Sequence, residues 1–374
     1  MLSLGLWAGR APAFHVDGVA TWRGDATAAY SLVHDDVCDP RALGVFSVAE
    51  PELRRRGLHA GFGVIVGACV AHEHWPEVRA LVAHGHDVFS HSWDHPCLTN
   101  EVARAQSCDP AAPRSVDFGT EIGCAAATLQ AAISRAPEFF IFPYDVCDPA
   151  AVEYLRRAGY LGARCGAAGV NAAAFADPFA VRFDVFGPSY SRAFGSGNCA
   201  FTATGAVPVQ YTTPPAVYSA ACRRDVLDRY VDDAIAAGGW AVRELHGLDP
   251  ADPDGWETVP LDDYRAHLDY LVGKVASGAL WVEGPTTVVK YRLAREACAL
   301  PVAVGDTLRF AAPSAACRRV ATVLSYRVSS GGADLPRLLV RQGDRELPAR
   351  RIAPGRYVVD ADPTRGDAHL VVSH

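Results

Sequence analysis

The sequence predicts an α/β fold, a parallel (β/α)7–8 barrel followed by a small β-sandwich, and three observations carry that expectation. Short apolar runs alternate with segments of helical periodicity from Ala29 to about Glu283, as βα units of a parallel sheet do. Several of these runs stop abruptly in polar, chemistry-bearing residues, the way barrel strands deliver groups at their carboxyl ends. From about residue 299 onward the text changes to short β-like segments separated by Gly, Pro and Asp, which reads as an antiparallel sandwich.

In chain order, Ala29 to Val33 is a buried strand running into His34-Asp35-Asp36, and Asp39-Pro40 looks like an N-cap with proline at the first helical position. A helix is expected over Pro51 to Arg56. The apolar run Gly61 to Val70 is read as one strand, Trp75 to His84 as a helix on the spacing of Trp75, Val78, Leu81 and Val82, and Asp87 to Ser90 as a strand feeding His91. Thr99 to Phe118 reads as an irregular loop, and Glu121 to Arg135 as a helix. Glu138 to Phe142 is a strand, and Asp148-Pro149 caps a helix over Ala150 to Ala158. Strands over Leu161 to Cys165, Val181 to Phe186, Trp240 to Leu245 and Leu280 to Glu283, with a helix over Asp262 to Ala276, complete the series. After a transitional helix, the expected domains are a barrel over 1–298 and a sandwich over 299–374.

With 374 residues, 50% apolar and 21% charged, the chain has ample material for two packed domains. A net charge of −7, with no basic run denser than Arg54-Arg55-Arg56, gives no electrostatic footprint for nucleic acid. The longest apolar stretch, Ala60 to Ala71, falls short of the roughly twenty residues of a membrane span. Met1 to Ala13 is apolar and ends in Ala11-Pro12-Ala13, but no basic segment precedes it, so it only loosely resembles a signal peptide.

Eleven cysteines without a CxxC pair point to disulfides, and so to a secreted or periplasmic protein. Cys298 with Cys317 is the expected local pair. The pentapeptide Asp-Val-Cys-Asp-Pro occurs twice, at Asp36 to Pro40 and Asp145 to Pro149, and suggests a Cys38–Cys147 bridge across the barrel mouth.

The chemistry is expected where Asp35-Asp36 ends one strand and His91-Ser92-Trp93-Asp94-His95 follows another. One Asp and two His suit a borderline divalent cation and leave a coordination position open, as catalytic zinc requires; Co²⁺ or Ni²⁺ are alternatives. Asp36 is the expected ligand with His91 and His95, and Asp35 the general base. Read alone, an Asp pair after a strand is also an ordinary turn or helix cap. His72 and His74 beside Trp75 read as a solvated turn, and no phosphate loop, dinucleotide fingerprint or serine elbow is present.

Taken together these segments resemble the polysaccharide deacetylases, carbohydrate esterase family 4, with their NodB homology domain. That family's first motif is an aspartate pair at a strand end, matched by Asp35-Asp36, and its second, His-Ser/Thr-x-x-His, is matched in full by His91 to His95. The third, Arg-x-Pro-Tyr/Phe, is matched by Ile141-Phe142-Pro143-Tyr144 with isoleucine in place of arginine, which removes the charge that orients the base in typical members. Leu245-His246 resembles the last motif, and the carboxylate–Trp motif is poorly matched by Asp184-Val185-Phe186.

The resemblance implies a metal-dependent hydrolase of acetylated glycans, most simply of N-acetyl groups on an amino-sugar polymer. It makes His246 the general acid and the Tyr144 backbone N–H an oxyanion donor. Trp93 and Trp256 are candidates to stack on sugar rings. The alternatives are an O-acetyl esterase acting on xylan or a related glycan, and a carbohydrate-binding protein without catalysis. The oligomeric state is not legible.

Overall fold

The computed structural model describes residues 14–98, 103–104, 113–114, 117–174, 176–186, 220–332 and 334–372. Contacts divide the chain into two compact units, one of residues 27–289 and one of residues 1–26 with 290–374.

The first strand, β1 (His15–Val19), belongs to the second of these units. Eight parallel strands build the other: β2 (Ala28–Val37), β3 (Gly61–Val64), β4 (Asp87–Ser90), β5 (Phe139–Ile141), β6 (Gly162–Ala168), β7 (Val181–Val185), β8 (Trp240–Leu245) and β9 (Leu280–Val282). Seven close a ring in the order β2 to β8, because β8 pairs back onto β2 from Trp240↔Ala29 to Leu245↔His34. β9 adds beside the N-terminal half of β2, from Leu280↔Ala28 to Val282↔Tyr30. The expected parallel α/β barrel is the observed fold.

Helices α1 (Glu50–Arg55), α2 (Val66–Ala71), α3 (Trp75–Ala83), α4 (Ala125–Ile133), α5 (Pro149–Arg157), α6 (Ala220–Ala237) and α7 (Leu261–Ala276) accompany the strands. Their apolar stripes supply Leu53, Cys69, Val78, Leu81, Leu129, Val231, Tyr264 and Leu268 to one buried layer with Tyr30, Phe62 and Val64 of the strands. Burial of such an amphipathic stripe, more than intrinsic propensity, holds helices of this length. Asp148 caps α5 as expected, its carboxylate accepting the Ala150 N–H at 2.7 Å.

Two local expectations change. Asp39 starts no helix; its carboxylate accepts the Arg41 N–H at 2.8 Å in a turn, and helical backbone begins only at Val45. The run from Ala60 to Ala71 is not one strand. It breaks at Ile65, where β3 gives way to α2, because a continuous apolar run carries no period that separates a buried strand from a buried helix.

The second unit contains α8 (Pro285–Ala297) from residue 290 onward and the strands β10 (Val302–Val304), β11 (Thr307–Arg309), β12 (Leu324–Ser329), β13 (Leu338–Gln342), β14 (Arg345–Leu347), β15 (Ala349–Ala353), β16 (Arg356–Ala361) and β17 (Ala368–Val372). They form two antiparallel sheets, β1-β12-β16-β15 and β10-β11-β17-β13-β14. The expected partition at 1–298 and 299–374 therefore differs from the structure at the N-terminus. β1 pairs with β12 from His15↔Ser329 to Val19↔Tyr326, and Tyr291 donates to the carbonyl of Ala20 at 3.0 Å. Edge pairing with β12 thus assigns β1 and the described residues up to 26 to the β-rich unit.

Cys298 and Cys317 are bonded, as expected. The expected Cys38–Cys147 bridge does not form: Cys38 pairs with Cys69, and Cys147 with Cys165. Each bridge joins the end of one barrel strand to the neighbouring strand or its helix, whereas a bridge across the mouth would have to span the ring. Cys124 is a free, exposed thiol. No helix among the described residues is long and apolar enough to cross a membrane. The apolar stretch Met1 to Ala13, with its loose resemblance to a signal peptide, lies outside the described residues, as does most of the loop expected over Thr99 to Phe118.

Candidate metal centre at the barrel mouth

Consecutive residues of a regular strand point to opposite faces, so Asp35 and Asp36 could not both reach the mouth from an unbroken β2. The strand breaks its register against β3 between His34 and Val37, and Asp36 adopts a left-handed conformation with φ 58°. Asp accepts this conformation more readily than most residues. Both carboxylates consequently turn into the site.

The histidines come from the loop after β4. His91 is buried, and its Nδ1 lies 3.0 Å from the carbonyl oxygen of Ile141. A carbonyl only accepts, so Nδ1 carries the proton and the neutral ring presents a lone pair at Nε2. The loop is tied inside itself and from below. Ser92 Oγ accepts the His95 N–H at 2.9 Å, and the buried Glu121 accepts the N–H groups of Trp93 and Asp94 at 3.1 and 3.0 Å.

These constraints bring Asp36, His91 and His95 into one cluster. Asp36 Oδ1 stands 3.4 Å from His91 Nε2 and 3.2 Å from His95 Nε2, and the two Nε2 atoms are 3.0 Å apart. That Oδ1 is buried without a hydrogen-bond partner. An acceptor oxygen facing imidazole nitrogens at such distances is stabilised by a cation between them, and a carboxylate with two imidazoles is a fitting donor set for a borderline dication. The residues present fit a divalent metal.

The charges shift accordingly. Burial acts to raise the Asp36 carboxyl, but the contact with His91 and the charges of His95 and His246 overcome it, leaving the group well below the usual carboxylate range. Burial opposes the charge on His91, yet Asp35 and Asp36 outweigh it and raise its pKa. His95 is lowered to about 4, chiefly by burial.

Asp35 heads the other half of the mouth. It forms a two-armed ion pair with Arg164 on β6, at 2.6 and 3.2 Å, and both side chains are buried. The same guanidinium nitrogen lies 3.0 Å from Asp145 and 3.0 Å from Glu244, and the guanidinium sits 4.6 Å from the centre of the Phe183 ring. His246, at the end of β8, has Nε2 3.6 Å from Glu244 and 4.0 Å from Asp36. Asp35, Glu244 and His246 form a second three-residue cluster beside the first.

All five polar residues expected at the site therefore converge: Asp35, Asp36, His91, His95 and His246. Tyr144 stands at the mouth with its ring 4.7 Å from that of His95, in a left-handed turn of φ 57°. Trp93 is half-buried and packed on the apolar layer, so the open aromatic faces are Tyr144, 39% exposed, and Trp256, 51% exposed. The Trp256 ring lies 4.5 Å from that of His246. Asp184 takes no part in this cluster; it is buried against Arg243, its register neighbour on β8.

Sequence reasoning missed Arg164, Glu244 and Asp145. The signal was a charge inside an apolar run: Arg164 within Leu161 to Cys165, and Glu244 within Trp240 to Leu245. The arginine absent at position 141 is met from the next strand, since Ile141 and Arg164 are register partners across β5 and β6.

Residues 36–163 match the family model described as polysaccharide deacetylase. No curated protein matches the chain. Similar solved structures include a family 4 acetyl xylan esterase from Clostridium thermocellum in complex with a cobalt ion, at 16% identity over 70% of this chain and 89% of that one, TM-score 0.36. A family 4 carbohydrate esterase from Streptomyces lividans in complex with acetate is 16% identical over 69% and 92%, TM-score 0.38. A family 4 pseudoenzyme from Bacillus anthracis is 11% identical over 70% and 65%, TM-score 0.40. Likeness this distant carries no chemistry across. Residues 36–163, from the end of β2 to β6 of the parallel barrel, thus match the polysaccharide deacetylase model.

Proposed function

We propose that the chain is a metal-dependent deacetylase of an acetylated glycan, acting on N-acetyl groups of an amino-sugar polymer, in an oxidising compartment outside the cytoplasm. The observation that carries the reading is the Asp36–His91–His95 cluster, in which a partnerless buried carboxylate oxygen faces an imidazole lone pair. The disulfides support the compartment.

Asp36 Oδ1, His91 Nε2 and His95 Nε2 would hold the ion, Zn²⁺ first and Co²⁺ or Ni²⁺ as alternatives. When bound, the ion supplies Lewis acidity toward the acetyl carbonyl and lowers the pKa of a nearby water. Asp35, oriented by its ion pair with Arg164, takes the proton of the attacking water. The Tyr144 N–H donates to the developing oxyanion. His246 Nε2 returns a proton to the departing nitrogen, so the base and acid stand on neighbouring strands β2 and β8. Trp256 and the Tyr144 ring offer apolar faces to a sugar.

Acetate release from an N-acetylglucosamine oligomer should vanish on chelation, return with Zn²⁺ or Co²⁺, and fall at least a hundredfold in His91→Ala. Unchanged activity in that variant refutes the assignment. Faster release from acetylated xylan would move the substrate to O-acetyl esters, and glycan binding without acetate release in the metal-loaded protein would favour a binding role.

A further inference from the structure

The loop bearing Asp36 and the loop bearing the two imidazoles lean on the same short segment, where β3 passes into α2. On one side the Ile65 N–H donates to the carbonyl of Val37 at 3.1 Å, and Cys69 is bonded to Cys38, two residues beyond Asp36. On the other side the N–H groups of Val66 and Gly67 donate to the carbonyls of Ser92 and Trp93 at 3.1 and 2.8 Å, and the His91 N–H donates to the carbonyl of Val64 at 2.8 Å. Residues 64–69 thus touch the backbone beside Asp36 and the backbone between His91 and His95.

Both contacts are demanding. Asp36 and Cys38 are left-handed, with φ 58° and 81°, and residues with side chains persist in that region only where their surroundings fix them. The pairing of Val37 with Val64 and the Cys38–Cys69 bridge tie this strained turn to β3 and α2. Gly67 lies in helical backbone, which suits alanine equally well, but a Cβ there would stand 2.8 Å from the Trp93 carbonyl oxygen and 2.8 Å from an Asp94 carboxylate oxygen. The histidine loop can lie this close to α2 only against a glycine.

We propose that the β3–α2 junction is the spacer of the metal centre, with Cys38, Cys69 and Gly67 as positioning residues that set the separation of Asp36 from the two imidazoles. The inference rests on the reading of Asp36, His91 and His95 as the metal-holding set. None of the three touches the site atoms; the bridge acts through Asp36, and Gly67 through the loop that carries His91 and His95.

The test is Zn²⁺ affinity, measured on the full chain by competition with a chromophoric chelator, beside thermal melting of the metal-free protein. Cys38→Ser/Cys69→Ser and Gly67→Ala should each weaken Zn²⁺ binding at least tenfold. Cys298→Ser/Cys317→Ser, which opens a bridge in the β-rich unit, should stay within twofold of wild type. Removing the Cys38–Cys69 bridge from an Asp36→Ala chain should change affinity less than threefold, whereas independent effects would multiply. A folded bridge-free protein that binds Zn²⁺ within threefold of wild type, or a bridge effect that persists in full in Asp36→Ala, overturns the proposal. If the bridge-free chain does not fold, Gly67→Ala decides: folded and weakened by threefold or more it supports the proposal, and any other result overturns it. A wild type that binds no Zn²⁺ sinks the metal-site reading and this proposal with it, while one that binds Zn²⁺ and releases no acetate sinks the proposed function alone.

Discussion

Glu121 makes no contact expected of a ligand, yet its removal should weaken metal binding. Its carboxylate accepts two backbone N–H groups, from Trp93 and Asp94, between His91 and His95, the two imidazoles of the proposed metal site. Hydrogen bonds to a charged group contribute about 1.5–3 kcal/mol each. The Asp94 side of the loop is exposed to water, so the low end applies, about 3 kcal/mol for the pair. If half of that free energy holds the two imidazoles at their separation, Glu121→Ala weakens metal affinity about tenfold, since about 1.4 kcal/mol is a factor of ten. This agrees with the 10–100-fold typical of outer partners of metal ligands. Glu121→Gln, which keeps an acceptor and loses the charge, should fall between wild type and alanine. Competition for Zn²⁺ against a chromophoric chelator measures the affinity, and thermal melting of the metal-free protein measures the loop's contribution to stability. A folded Glu121→Ala protein whose Zn²⁺ affinity lies within twofold of wild type would refute the reasoning, because the loop would then hold its shape without the carboxylate.

Two further outcomes are expected of the barrel. His86 is buried and accepts the Ala60 N–H at Nδ1, and burial first, with the charges of His59, His84 and His34, lowers its pKa to about 3. A folded pKa below the unfolded value means that His86 contributes full stability above about pH 6.5 and that this is lost as pH falls toward 3, at up to about 1.4 kcal/mol per unit; His86→Asn, which retains an acceptor for Ala60, should flatten the acid limb of a urea-stability curve, and an unaltered slope counts against it. The Cys38–Cys69 bridge spans 31 residues, so Cys38→Ser/Cys69→Ser should lower unfolding stability by about 4 kcal/mol, read by urea denaturation; a loss under about 1 kcal/mol contradicts a stabilising role.

The groups that ended apolar runs were legible in the sequence, because a strand that stops in Asp35-Asp36, His91 or His246 announces both its own end and its cargo. The alternation of runs also gave the ring. What was not legible depended on pairing. Arg164 acquires its meaning only when β6 lies beside β5 with Ile141 opposite it, and no spacing within the chain encodes that register. The cysteine partners failed for the same reason: repetition of a pentapeptide marked two equivalent strand ends, while the bonds formed between neighbours in the ring. The change from strand to helix at Ile65 was hidden because every residue around it is apolar, so neither period left a trace.

The pairing of β1 with β12 has a consequence for synthesis. The β-rich unit is interrupted: its first strand emerges from the ribosome before residue 27, and the strand that covers it lies beyond residue 289. Throughout translation of the barrel, β1 therefore has an open edge and no sheet to join, and an open edge is where foreign strands add. Cutting the chain near residue 299 would make that interval permanent. The barrel unit, 27–289, is a module inserted into its neighbour, and neither β1 nor β12 belongs to it.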